Sequence, residues 1–206
     1  MVLPILFMLV FGMMEGALWF RDNLTMSYVS RDLVRVLGTR GSTLTADQLA
    51  VEAAFKAASA LRNGAYTIDL ITVFRATCAS TSTCTSASAP IESVNDLNTP
   101  ACTAPPSGMS AGVAGLCNVY RPRGGITQAI VDDDRYWGCV ATDVNIQPLD
   151  SSWCPSTRKI ALSDYGGTGP DYVGVRVVMT HTSITKLPRL TGTIVSETVY
   201  RVEPQR

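Results

Sequence analysis

The chain opens on MVLPILFMLVFGMMEGALWF, Met1 to Phe20, in which only Pro4, Gly12, Glu15 and Gly16 interrupt the apolar side chains. As a helix, about 20 residues rise about 30 Å, close to the thickness of a bilayer core. Such a helix is apolar around its whole circumference. It must bury itself in lipid or against other helices, because one small domain covers only one side of it. Pro4 falls in the first turn, where a missing backbone N–H costs little. Trp19 lies just before the polar pair Arg21 and Asp22, the place of an interfacial ring.

A cleaved secretory signal is the competing reading. It requires a basic leading region, a shorter apolar core and a small-x-small cleavage site. Neither the basic region nor such a site is found around this run. Arg21, Arg31, Arg35 and Arg40 all follow the segment. Taken alone, that asymmetry would hold the rest of the chain in the cytoplasm. The cysteines argue the opposite, and a basic leader upstream of Met1 would reconcile the two. Glu15 is costly in lipid, by roughly 2.5–3.5 kcal/mol on insertion scales. It is expected either to reach the interface or to face protein.

Helical spacing continues beyond Phe20. Leu24, Tyr28, Leu33, Val36 and Leu37 predict one apolar face, with Asn23, Ser27, Ser30, Arg31 and Arg35 opposite. Gly38 and Gly41 are the stop signals. Residues 1–41 therefore form a membrane or assembly helix with an amphipathic extension, and residues 42–206 a separate head. A second helix is predicted from Thr45 to Asn63-Gly64. It carries a Thr45/Gln48 capping box, a Glu52–Lys56 pair, and Leu49, Ala53, Phe55 and Leu61 as core candidates.

Strands are predicted at residues 65–74, 172–184 and 191–202, all rich in β-branched residues. The short connection at 185–190 makes the last two an antiparallel hairpin. Residues 76–160 form a loop-rich, cysteine-rich insertion. Its stretch 77–90 is dense in Ser and Thr, and 101–115 is rich in Pro, Gly, Ala and Ser. The fold class is α+β: a long hydrophobic N-terminal helix, then a small antiparallel sheet head with disulfide-stapled loops.

The six cysteines, Cys78, Cys84, Cys102, Cys117, Cys139 and Cys154, all lie in that insertion. An even number in a region with little core suits a disulfide framework and an extracytoplasmic head. Six cysteines allow fifteen pairings. Sequential pairing is preferred because it closes short loops. Zinc would call for closer pairs, and the nearest here is C-x₅-C.

Little else carries chemistry. The 17 basic and 17 acidic residues cancel, which removes a broad footprint for nucleic acid. His181, the single histidine, alternates with Val173, Val175, Val177 and Met179 on one strand face, a structural position. Gly166-Gly167-Thr168-Gly169 lacks the Lys-Ser/Thr ending of a phosphate loop and reads as a turn. Asp132, Asp133 and Asp134 are a weak metal candidate, since the spacing of a calcium loop is missing. The Asn23-Leu24-Thr25 sequon lies within a helix. No enzyme activity and no cofactor are expected.

The N-terminal string resembles the TadE/TadG-like pilus-assembly proteins, pilin-like components of tight-adherence (Flp) pilus systems. The resemblance rests on Leu3-Pro4, on Phe11-Gly12-Met13-Met14-Glu15, and on Gly16 to Phe20. Ser30-Arg31-Asp32 through Arg35 is similar to the family's polar helix continuation, and residues 173–180 and 197–204 to its closing hairpin. The resemblance implies a pilin-like structural subunit or minor pilin of an extracellular type IV filament. In it Leu3, Pro4, Phe11, Gly12, Glu15, Gly16 and Phe20 would belong to the assembly helix. That helix would rest in the inner membrane, or pack against other copies, other pilins and the assembly machinery, with the head exposed at the cell surface. The alternative is a membrane-anchored extracellular adhesion module that does not polymerise.

Overall fold

The computed structural model of the chain describes residues 2–60, 66–76, 102, 108–159, 172–181 and 192–202. Helix α1 runs unbroken from Val2–Arg40 and α2 spans Ala46–Ala60. The strands are β1 (Tyr66–Ala76), β2 (Ser110–Val113), β3 (Cys117–Tyr120), β4 (Tyr172–His181) and β5 (Gly192–Arg201). A one-turn helix α3, Gln128–Val131, follows β3. The strands form one sheet in the order β2-β3-β1-β4-β5, with every neighbouring pair antiparallel. The α+β architecture and the closing β4–β5 hairpin are as the sequence predicts.

Helix α1 continues through Gly38 and ends at Arg40, where Gly41 takes a positive φ of 50° and donates its N–H to the Leu37 carbonyl. Gly38 has a different use. A Cβ there would strike the Tyr200 ring on β5, so its bareness lets α1 lie directly on the sheet.

One face of the sheet carries both helices. Met26, Val29, Leu33, Val34 and Leu37 of α1 and Ala46, Ala50, Val51 and Ala54 of α2 pack on Ile71, Val73, Val175, Val177, Met179 and Ile194. Burying one such aliphatic side chain stabilises the fold by about 1.5–3 kcal/mol. The opposite face holds a smaller cluster of Leu70, Phe74, Val119 and the Cys102–Cys117 bridge.

Several expectations are corrected. The buried stripe of α1 is rotated from the predicted one: Leu24 and Tyr28 are exposed, Tyr28 by 67%, whereas Met26, Val29, Ser30 and Val34 are buried. The reason lies in β5, whose Ser196 and Thr198 hydroxyls contact Ser30 Oγ at 2.8 and 3.0 Å. In α2 the small residues face inward and allow close approach, and Leu49, Ala53 and Phe55 are only partly buried. Gln48 makes no capping box, because its amide reaches the Val131 carbonyl and Asp134 instead. The Glu52–Lys56 pair is formed. Residues 101–115, read as loop, contain strand β2. Leu61, the glycine run at 166–169 and the connection at 185–190 lie outside the described residues.

Candidate functional site

The first half of α1 stands bare. Leu3, Ile5, Leu6, Phe7, Met8, Leu9, Val10, Phe11, Met13, Met14, Trp19 and Phe20 are all exposed. A Cβ placed on Gly12 or Gly16 would meet nothing within 4 Å. Phe7 and Phe11 stack along the helix with ring centroids 6.3 Å apart. An apolar flank of this length exceeds what an isolated soluble surface tolerates and marks a surface that binds something.

Within that flank Glu15 is 2% exposed in the chain itself. Its burial comes from its own chain and needs no second molecule. The expectation of a full membrane crossing is narrowed: among the described residues no helix is long and apolar enough to cross a membrane.

At Asp22 the helix passes from bare to buried. Its fully buried carboxylate lies 2.6 Å from His181 Nδ1 at the end of β4. His181 therefore works where sequence placed it, on the inward face of β4, as a tie between helix and sheet. Arg21 Nε also approaches Asp22, at 3.4 Å. Asn23 and Thr25 of the sequon bond back to the Trp19 and Arg21 carbonyls of their own helix.

A second polar centre, which sequence reading missed, joins the insertion to the helices. Asp47, at the start of α2, is fully buried. Its Oδ2 accepts hydrogen bonds from Asn118 Nδ2 at 2.9 Å, from the Tyr120 hydroxyl and from Arg158 Nη2 at 2.8 Å. Arg158 Nη2 also lies 2.7 Å from Asp47 Oδ1. The guanidinium stacks over Trp153 at 4.4 Å from the ring centroid. Asn118 in turn donates to the Trp153 carbonyl and accepts from its N–H. Burial, and then the neighbouring Asp47 charge, push the Tyr120 phenol well above its ordinary pKa. Burial likewise raises the Asp150 carboxyl, against the lowering effect of the Gly138 and Cys139 N–H groups bonded to it. The only local hint of this centre is an Asp in the first turn of α2, a position usually read as dipole compensation.

The disulfides Cys102–Cys117 and Cys139–Cys154 are formed, in the preferred sequential pairing. Cys78 and Cys84 lie outside the described residues. The first bridge sits under the outer face of the sheet. The second fastens the segment that brings Trp153 and Arg158 to Asp47. The aspartate run is dispersed among local partners: Asp132 accepts from Gln128, Asp133 from Arg135 and Asp134 from Gln48. Among the described residues no group of three His, Cys, Asp or Glu is placed to hold a metal ion.

A long helix, half bare and half laid on a five-stranded antiparallel sheet, defines an α+β protein with an unfilled apolar flank. The family model described as TadE-like protein matches residues 1–35, the bare half of α1 and the start of its buried half. Over those residues the chain is similar to TadE-like proteins, in agreement with the resemblance carried by Leu3-Pro4 and by Phe11 to Glu15. No curated protein and no solved structure matches the chain.

Proposed function

We propose that this chain is a pilin-like structural subunit or minor pilin of a tight-adherence pilus system, without catalytic activity. The observation that carries the reading is the exposed apolar flank from Leu3 to Phe20, lying inside the TadE-like match. Packed against helices of other subunits, that flank would lose its contact with water, at roughly 25 cal/mol for each Å² covered. The head would stay outside, where the two disulfides suit an oxidising compartment. Before assembly the helix would be held at the inner membrane. Neighbouring helices would then take the place of lipid along the flank.

A second reading has one observation in its favour. Glu15 is already buried within its own chain, so its carboxylate does not require a neighbouring subunit. That suits a membrane-held extracellular binding module that stays monomeric. Peptide mass spectrometry on sheared surface filaments and on membranes separates the two. Recovery of the chain with the filaments is the expected result. Recovery from membranes alone would overturn the subunit role in favour of the module.

A further inference from the structure

The helix-free face of the sheet carries a recess of about 400 Å³ that the assembly role does not use. Its apolar floor includes Leu70, Val178 and Val195, and Arg121, Arg123 and Arg176 reach it from β4 and from the segment after β3. The fold builds this place through an irregularity. The β1–β4 register shifts between Ile68 and Leu70, so Asp69 is an extra residue on β1. Asp69 meets the outward-facing Thr180 hydroxyl and Arg123 Nη1, the latter at 3.0 Å. That carboxylate is thereby engaged. Arg121 donates to the neutral Gly108 carbonyl at 2.8 Å and pairs with no carboxylate among the described residues. Arg176 lies opposite Glu197 in the β4–β5 register. Yet neither Arg176 Nε nor Glu197 Oε1, both shielded from solvent, has a hydrogen-bond partner among the described residues.

We propose that this recess is an oxyanion-binding site, for the phosphate or carboxylate of a small polar molecule with one apolar face. Among the described residues three guanidiniums face two carboxylates, which leaves a positive excess. A planar guanidinium with an unused Nε–H is suited to two parallel bonds to an oxyanion. The volume lies in the range of small-molecule sites, roughly 300–1,000 Å³. The valine floor would take the C–H face of a sugar-sized body while the arginines hold its charged group. This inference is independent of the filament reading.

The test uses the full chain, ¹⁵N-labelled in detergent micelles. The arginine Nε–H resonances are followed while inorganic phosphate or glucuronate replaces chloride at constant ionic strength. A saturable shift of the Arg176 Nε–H signal is expected. In Arg176→Gln the Nε–H signals of Arg121 and Arg123 report the binding, which should weaken by about tenfold or more, as loss of a charge-assisted pair requires. Arg135→Gln, in the Asp133 turn, should leave it unchanged. Saturation by phosphate alone would support the site and assign it to phosphoryl groups, and saturation by glucuronate alone would assign it to sugar acids. Shifts that do not saturate, or that survive Arg176→Gln, would overturn the proposal. If Arg176→Gln loses its amide dispersion, the exposed Arg123→Gln serves instead: weaker binding supports the site and unaltered binding overturns it.

Discussion

The two halves of α1 invert the usual relation between hydropathy and burial. The half from Leu3 to Phe20 is nearly all apolar, and most of it faces outward. The half from Asp22 to Leu37 contains Asp22 and Ser30, and both are buried. Both halves belong to one continuous helix, so backbone geometry does not distinguish them. What differs is what lies beneath. Under the second half, β4 and β5 offer matched partners: His181 for Asp22, and Ser196 and Thr198 for Ser30. A polar atom is buried cheaply where a partner is already in place. An apolar side chain is buried only where there is a surface to receive it. The first half thus defines a demand, and the second shows how the fold meets one.

The largest effect should come from the polar centre that braces the second half from behind. Asp47→Ala leaves the fully buried Arg158 guanidinium without its carboxylate and should cost about 4 kcal/mol. Urea unfolding of the head in micelles checks it; a loss under about 1 kcal/mol would show that Trp153 alone holds the arginine. Leu33→Ala, in the buried half of α1, should cost about 3 kcal/mol in the same assay.

Tyr120→Phe should cost about 2 kcal/mol, the value of a hydrogen bond to a charged acceptor. It should also change the pH dependence. The folded state holds the Tyr120 proton to higher pH than the unfolded chain, whose tyrosines titrate near about 10. The stability tied to that proton is whole below the unfolded value and is lost as pH rises above it. Unfolding midpoints between pH 8 and 11 should fall more steeply for the parent than for Tyr120→Phe. Parallel curves would place the alkaline slope elsewhere.

The smallest effect on folding should come from the bare half. Leu9→Ala should change head stability by less than about 0.5 kcal/mol, because Leu9 is exposed. Its effect should appear only in the yield of sheared filaments. A loss of head stability as large as that of Leu33→Ala would erase the contrast between the two halves.

Sequence carried the periodic features well. The length of α1, the strands around residues 66–76, 172–181 and 192–201, the closing hairpin and the inward face of β4 all follow from spacing that repeats over many residues. It failed where the decisive contact is distant. Which side of α1 is buried depends on hydroxyls 166 and 168 residues away. Strands β2 and β3 are four residues each, too short for alternation to register, and three of the four in β2 are Ser, Ala and Gly. The Asp47–Arg158 pair spans 111 residues, and no local pattern announces it. The apolar flank was legible, but the recess between Asp69 and Arg176 was not, because a bulge and a loop assemble it.

The strand order also sets a timetable. Central strand β1 is flanked by β3 and by β4, and β4 begins about a hundred residues after β1 starts. A ribosome releases α1 first, while the strands it will lie on are the last to emerge. Throughout synthesis the whole helix, not only its outer half, lacks a floor. The nascent chain must therefore hand its greasiest segment to a membrane or a chaperone well before its own sheet exists. Truncations that remove only the final hairpin should consequently expose Met26, Leu33 and Leu37 together with the flank that is bare by design.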